Sequence, residues 1–226
     1  VKVWDYTSGK ELLTLSGHID GVLDVAFSPN GIYLATASRD KTACLWHIDS
    51  GKVKGIFKHE NEIYRVAFSP DNRSLVTASA DATAKVWNIV SGKMTWLLDD
   101  HDDAVNSVTF SPDGTRLATA SKDKMVKIWD AKSGDLLYNL TGHNREILDV
   151  TFSPDSEYLV TAGLDNIKIW ENRDREILYT LASPGRRAAS LAFGCKGKYL
   201  ATGSEDGTAT VWGFENIGSR PDGLKL

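Results

Sequence analysis

The chain has 226 residues, 42% of them hydrophobic and 25% charged, which is the balance of an ordinary soluble globular protein. Its formal net charge of −4 gives no general attraction to nucleic acid, and no apolar run approaches the ~20 residues that span a bilayer, so we expect neither a nucleic-acid nor a membrane partner. The two cysteines fit no metal or disulfide spacing, which predicts a reducing, cytoplasmic location and no bound metal.

The first elements along the chain form an incomplete unit. Val1–Trp4 and Glu11–Leu15 are typical of two short strands, so residues 1–16 predict the second half of a four-stranded sheet. Full units follow at residues 17–58, 59–99, 100–141 and 142–182, then three strands within residues 183–214 and a tail at residues 215–226. In the tail, Leu224–Leu226 could begin a fourth strand.

A repeating tryptophan marks these units. Its successive spacings are 42, 41, 42, 41 and 42 residues, at Trp4, Trp46, Trp87, Trp129, Trp170 and Trp212. An apolar run that ends in phenylalanine recurs in step, at Phe27, Phe68, Phe110, Phe152 and Phe193. A period of roughly 40–45 residues is typical of propeller blades.

The unit at residues 100–141 shows how each repeat is built. Val105–Phe110 is a mostly apolar strand, and the Ser-Pro-Asp-Gly that follows has the composition of a turn. Three further strands are predicted at Leu117–Ala120, Val126–Trp129 and Leu136–Leu140. A solenoid of helical repeats is disfavoured because the sequence shows no helices. A sandwich is less favoured because it does not require units of equal length. We therefore expect an all-β propeller of four-stranded antiparallel blades.

Linked polar positions in these units resemble those of the WD-repeat β-propeller family, over essentially the whole chain to Trp212. In that family a His, a Thr or Ser, an Asp and the Trp of one blade form a hydrogen-bonded tetrad. The resemblance implies four such sets here: His18, Thr36, Asp40, Trp46; His59, Thr77, Asp81, Trp87; His101, Thr119, Asp123, Trp129; and His143, Thr161, Asp165, Trp170. A fifth set keeps Thr202, Asp206 and Trp212 but has Pro184 in the histidine position.

The chemistry of the tetrad favours a structural role. An indole N–H only donates, a hydroxyl donates and accepts, neutral imidazole does one at each nitrogen, and Asp accepts. Four of the five histidines occupy tetrad positions, and the remaining one, His47, stands where the family usually has the Asp of Trp-Asp. Recurrence in every unit indicates architecture and not a catalytic triad, so we expect no enzyme, no cofactor and no small-molecule substrate.

A partner surface is implied by similarity to G-protein β propellers. Partner contacts in those proteins cluster on the face with the turn before each first strand, three and five residues after the tetrad His and one before the tetrad Asp. Carried onto this sequence, the candidate partner-binding residues are Leu23, Arg39, Glu62, Tyr64, Asn106, Lys122, Glu146, Leu148, Leu164, Arg187 and Glu205. Their charges balance and several are apolar or aromatic, which suits a protein or peptide partner.

Three function classes stay open, in order of preference. The first is a non-catalytic interaction scaffold, the docking or sensing module of a larger signalling protein, since the blades resemble those of bacterial and fungal multidomain signalling proteins. The second is an enzyme with a site in the central channel, and the third a nucleic-acid-binding adaptor. Trp96, outside the repeat, is interpreted as inter-blade packing in preference to a docking site.

The number of blades also stays open. Glu11–Leu15 could complete the sheet that ends at Trp212 and close a five-bladed ring, which would leave Val1–Trp4 redundant. Most relatives have seven blades, so we expect a fragment of a longer propeller. An incomplete ring exposes sheet edges and would tend to self-associate.

Overall fold

The computed structural model describes residues 1–182 and 188–214, and these form six separate antiparallel sheets. The half-blade has β1 Lys2–Trp4 and β2 Glu11–Thr14. Blade 1 has β3 Val22–Phe27, β4 Tyr33–Ser38, β5 Thr42–His47 and β6 Lys52–Lys58. Blade 2 has β7 Ile63–Phe68, β8 Ser74–Ser79, β9 Ala84–Asn88 and β10 Met94–Leu98.

Three further sheets follow in the same order. Blade 3 has β11 Val105–Phe110, β12 Arg116–Ser121, β13 Val126–Asp130 and β14 Leu136–Leu140. Blade 4 has β15 Ile147–Phe152, β16 Tyr158–Gly163, β17 Ile167–Glu171 and β18 Ile177–Leu181. Blade 5 has β19 Ala188–Gly194, β20 Tyr199–Ser204 and β21 Ala209–Gly213, with a 3-10 turn at Cys195–Gly197. The all-β propeller predicted from the repeat is confirmed.

Within each sheet every strand pairs with the next one in sequence, and the core lies between the sheets. Small residues of the second strand, such as Ala118 and Ala120, lie against larger side chains of the next blade, such as Ile147 and Phe152. Five hydrophobic clusters of this kind join the six sheets in order. A four-stranded sheet on its own leaves both faces exposed to solvent, so the packing of one blade on the next buries their apolar surface.

The half-blade packs on blade 1 through a cluster of buried apolar residues, Leu15, Leu34, Cys44 and Trp46. Its strand β2 pairs with β1, whereas β21 pairs only with β20 among the described strands. The five-bladed closure, in which Glu11–Leu15 completes the last sheet, is therefore wrong, because among the described strands β2 pairs with β1 and not with β21. Leu224–Leu226 lies outside the described residues.

Trp96 lies in an inter-blade contact. It is partly buried in the cluster between blades 2 and 3, and a Cβ added at Gly134 in the turn of blade 3 would come within 2.7 Å of its indole. Gly134 has a φ of +78°, where glycine is the favoured residue. Both the conformation and the close approach therefore require glycine at this turn.

Candidate functional site

The structure brings together the members of four predicted tetrads. In each, the His Nδ1 lies 2.6–2.9 Å from a carboxylate oxygen of the Asp, and Nε2 lies 2.7 Å from the Thr hydroxyl. The Trp indole N–H donates to that hydroxyl at 2.9–3.0 Å. The four threonines are fully buried: Thr36, Thr77, Thr119 and Thr161.

Blade 5 keeps only part of this arrangement within the described residues. The Trp212 indole donates to Thr202 at 3.1 Å. Asp206 is exposed and accepts from the backbone and the hydroxyl of Thr208 at 2.9 and 2.6 Å. Pro184, predicted at the histidine position, lies outside the described residues.

Protonation in the tetrads follows from burial and hydrogen bonding. Burial lowers the pKa of His59 and of His143, and the hydrogen bonds to their Asp partners only partly oppose this. Burial alone would raise the pKa of Asp81 and of Asp123, but hydrogen bonds, led by the His partner in each case, outweigh it and hold the pKa of each carboxyl below its usual range. A neutral imidazole that donates from Nδ1 and accepts at Nε2 satisfies all partners, which leaves no free base beside the buried hydroxyl.

Two sets of predicted partner-binding positions meet on one side of the blades, which we call the partner face. In each of blades 1 to 4, the backbone N–H of the residue before the tetrad Asp donates to the carbonyl of the residue three after the tetrad His. These bonds run from Arg39 to Gly21, Ala80 to Glu62, Lys122 to Ala104 and Leu164 to Glu146, at 2.9–3.0 Å. The turn before the first strand is thus fixed to the turn before the third.

The remaining predicted position is the extra residue at a register shift near the start of each first strand. The pairing of β3 with β4 skips from Val22 to Asp24, and the other blades show the same shift. The residues at the shift are Leu23, Tyr64, Asn106, Leu148 and Ala189. A β-bulge of this kind re-aims a side chain, and bulges are common beside binding sites.

The predicted side chains differ in how accessible they are. Three of them are exposed: Leu23, Arg39 and Glu205. The others that the structure describes are partly buried: Glu62, Tyr64, Asn106, Lys122, Glu146, Leu148 and Leu164. The Asn106 amide donates to the Ile147 carbonyl at 2.8 Å, so this side chain joins blade 3 to blade 4 in addition to lining the face. Arg187 lies outside the described residues.

Sequence reasoning missed an apolar residue on the partner face. Ile19 is 92% exposed and directly follows the tetrad His18, and its N–H donates to Asp40 at 3.1 Å. Glu60, Asp102 and Asn144 make the same bond in blades 2 to 4. The signal was present, because an apolar residue at a position that is otherwise polar is informative in a repeat.

His47 illustrates the cost of a departure from the repeat. At the corresponding position, Asp5, Asn88 and Asp130 accept N–H bonds from the turn that follows. The buried Nδ1 of His47 has no hydrogen-bond partner in the described part of the chain, and its ring packs edge-on to Tyr33 at 5.7 Å. Histidine at this position therefore forgoes the turn cap.

The described residues contain no group of three or more His, Cys, Asp or Glu arranged to hold a metal ion. Nor do they include a helix long and apolar enough to cross a bilayer. A cavity of about 250 Å³ does lie where the first strands of the blades approach one another, and Asp24, Arg65 and Asp149 line it.

Two family models match the chain. The model described as IFT122 first beta-propeller matches residues 62–219, and the model described as WD domain, G-beta repeat matches residues 9–47. The first of these covers more than half of the chain.

Curated proteins match over shorter stretches. WD repeat and SOCS box-containing protein 1 from Mus musculus is 43% identical over 67 residues, which is 28% of this chain and 16% of that protein. Lissencephaly-1 homolog 1 from Paramecium tetraurelia is 39% identical over 54 residues, 24% of this chain and 13% of that protein. The Coronin-like protein of Saccharomyces cerevisiae is 43% identical over 53 residues, 24% of this chain and 8% of that protein. The chain thus spans between 8% and 16% of the length of these relatives.

Proposed function

The chain belongs to the WD-repeat β-propeller family, and from this premise we propose that it is a non-catalytic scaffold that binds a protein or peptide on its partner face. The observation that carries the proposal is the fixed frame of that face. In blades 1 to 4 a tetrad and a backbone bond between turns hold the same positions, while the side chains at those positions vary. A constant frame that carries side chains which vary from blade to blade is the usual arrangement of a recognition surface.

The composition of the partner face favours a polypeptide partner. Arg39 and Lys122 are matched by Glu62, Glu146 and Glu205, so no single charge dominates. Ile19, Leu23, Tyr64, Leu148 and Leu164 add apolar area. An apolar and aromatic centre with a polar rim is typical of protein interfaces, whereas a phosphate backbone requires an excess of positive charge.

Catalysis is not part of the proposal. The tetrad histidines are bonded at both ring nitrogens, and in the central cavity Arg65 is paired with Asp149 and faces Asp24. The proposal extends to a docking module of a larger cytoplasmic signalling protein. The free, buried thiol of Cys44 supports the cytoplasmic part of this extension.

Selection of peptides from a displayed library on the folded chain tests the proposal. Tyr64→Ala combined with Leu148→Ala should lower the affinity for the selected peptides about thirtyfold, the effect of losing a hot spot of about 2 kcal/mol. Val90→Ala is the matched control, since Val90 is 81% exposed in a turn at the opposite end of blade 2. Peptides that bind both variants equally well would show that the partner face is not the binding site.

A further inference from the structure

The first strands of the blades carry a polar residue at equivalent positions, one after each register shift. These residues are Asp24, Arg65, Ser107, Asp149 and Ser190. The sequence repeat gives no reason for an arginine at this position in blade 2. The structure shows what Arg65 contacts.

Arg65 reaches across the central cavity. Its Nη2 lies 3.0 Å from Oδ1 of Asp149, which belongs to blade 4, two blades further on. Its Nη1 lies 3.6 Å from Oδ1 of Asp24 in blade 1. In blade 3, the Ser107 hydroxyl donates to the same Oδ1 of Asp149 at 2.8 Å. One guanidinium therefore connects, directly or through Asp149, the first strands of four blades.

The two carboxylates extend these connections to neighbouring backbones. Asp24 Oδ2 accepts the N–H of Val66 at 3.0 Å, and Asp149 Oδ2 accepts the N–H of Leu191 at 2.8 Å. Blade 1 is thereby joined to blade 2, and blade 4 to blade 5. Among the described residues that line the cavity, Asp24, Arg65 and Asp149 carry the only charges.

These charges lie beside the partner face. Asp24, Arg65, Ser107 and Asp149 directly follow Leu23, Tyr64, Asn106 and Leu148, the bulge residues of that face. A shift of one first strand against another would therefore move the face residues with it. We propose that Arg65 is a positioning residue, a brace across the cavity that sets the spacing of the bulge side chains on the partner face. The part of this inference that concerns binding rests on the proposed function.

Burial makes the brace sensitive to the loss of one partner. The Asp149 side chain is 6% exposed and that of Arg65 32% exposed. Removal of the cation would leave a buried carboxylate without its counter-charge, and such a group is strongly destabilising. Burial raises the pKa of Asp24, an effect that the hydrogen bond from the Val66 N–H and the charge of Arg65 partly oppose.

Amide hydrogen exchange tests the brace without any partner. Arg65→Met should speed exchange at the Val66 and Leu191 amides by about tenfold, within the range of coupled charge networks. Arg73→Met is the matched control, an exposed arginine in a turn of the same blade. Arg65→Lys keeps the positive charge but not the two-pronged guanidinium, and we expect exchange rates between those of the wild type and Arg65→Met. This variant keeps the test usable if Arg65→Met folds poorly.

A double substitution and the selected peptides complete the test. In the double variant Arg65→Met/Asp149→Asn, the amides should exchange more slowly than the sum of the two single effects predicts, because both charges of the pair are removed together. Additive effects, or exchange no faster than in Arg73→Met, would overturn the brace. Peptide affinity should fall in Arg65→Met and recover in part in Arg65→Lys, and unchanged affinity with faster exchange would overturn the positioning role. If hydrogen exchange shows the brace but no selected peptide binds at the partner face, the proposed function is refuted and the brace is not.

Discussion

Strands β3 and β11 have the same apolar pattern and different surroundings. In β11, Val108 and Phe110 are 4% and 8% exposed, because the second and third strands of blade 2 cover them. In β3 the equivalent Val25 and Phe27 are 49% and 58% exposed, since the half-blade covers only the outer part of blade 1. A repeat sequence thus shows what each strand is suited to contact, while the neighbouring blade decides whether the contact is made.

The largest expected effect comes from the phenylalanine pair. Phe110→Ala should lower the free energy of unfolding by about 3–5 kcal/mol, because it opens a cavity between blades 2 and 3. Phe27→Ala should cost less than about 1 kcal/mol, since most of this side chain is already in water. Urea denaturation of both variants measures the difference, and equal losses would show that the face of β3 is covered in solution.

The tetrads sharpen the comparison in a second pair. Asp123 accepts bonds from His101 Nδ1, the Asp102 N–H and the Met125 N–H, at 2.6, 3.2 and 2.8 Å. Asp123→Ala should cost about 1–3 kcal/mol, because it leaves buried donors unpaired. Lys122→Ala is the adjacent control, with an expected change within about 0.5 kcal/mol. Identical melting temperatures for the two variants would refute the structural reading of the tetrad.

The same logic predicts a weaker effect in blade 5. Asp206 is exposed and bonds to Thr208 in its own turn, so Asp206→Ala should cost less than Asp123→Ala. Thermal unfolding of the two alanine variants provides the measurement. A larger loss for Asp206→Ala would mean that blade 5 depends on this turn more than its exposure indicates.

Glycine turns provide a third pair. Gly92 and Gly134 both have positive φ, 70° and 78°, but only Gly134 lies against Trp96. Gly134→Ala should therefore cost about 1–2 kcal/mol more than Gly92→Ala, the penalty of overpacking added to a shared backbone strain. The difference should vanish in a Trp96→Ala background, and its persistence there would point to a cause other than the indole.

The smallest effect concerns pH. Burial places the pKa of His59 and His143 below their ordinary value of 6.5. The unfolded chain therefore binds protons near that pH that the folded chain does not, so stability should fall as the pH is lowered from about 7 to about 5. Melting temperatures across this range measure the slope. His143→Gln should flatten the slope, and an unchanged slope would exclude this histidine as its source.

Much of the fold could be predicted from the sequence, because local pattern and repeat agree. The predicted Val105–Phe110 and Leu136–Leu140 coincide with β11 and β14, and the tetrad members lie within hydrogen-bond distance of one another. Chemistry that recurs in every unit can be identified without coordinates, since each copy supports the others.

Contacts that occur once could not be predicted in this way. The pairing of Arg65 with Asp149 depends on the curvature that brings blades 2 and 4 to one cavity, and no spacing in the sequence encodes it. The bond of the Asn106 amide to blade 4 and the missing partner of His47 are of the same kind. Each depends on a neighbour that the repeat does not specify.

Cys44 packs between the half-blade and blade 1, so the reactivity of its thiol reports on this interface. The thiol is buried, and burial raises its pKa, so a thiol reagent reaches it as a reactive thiolate only when the two sheets separate. The rate of modification at Cys44, located by peptide mapping, therefore measures how often this contact opens. A single sulfur atom can in this way report how often the half-blade and blade 1 separate.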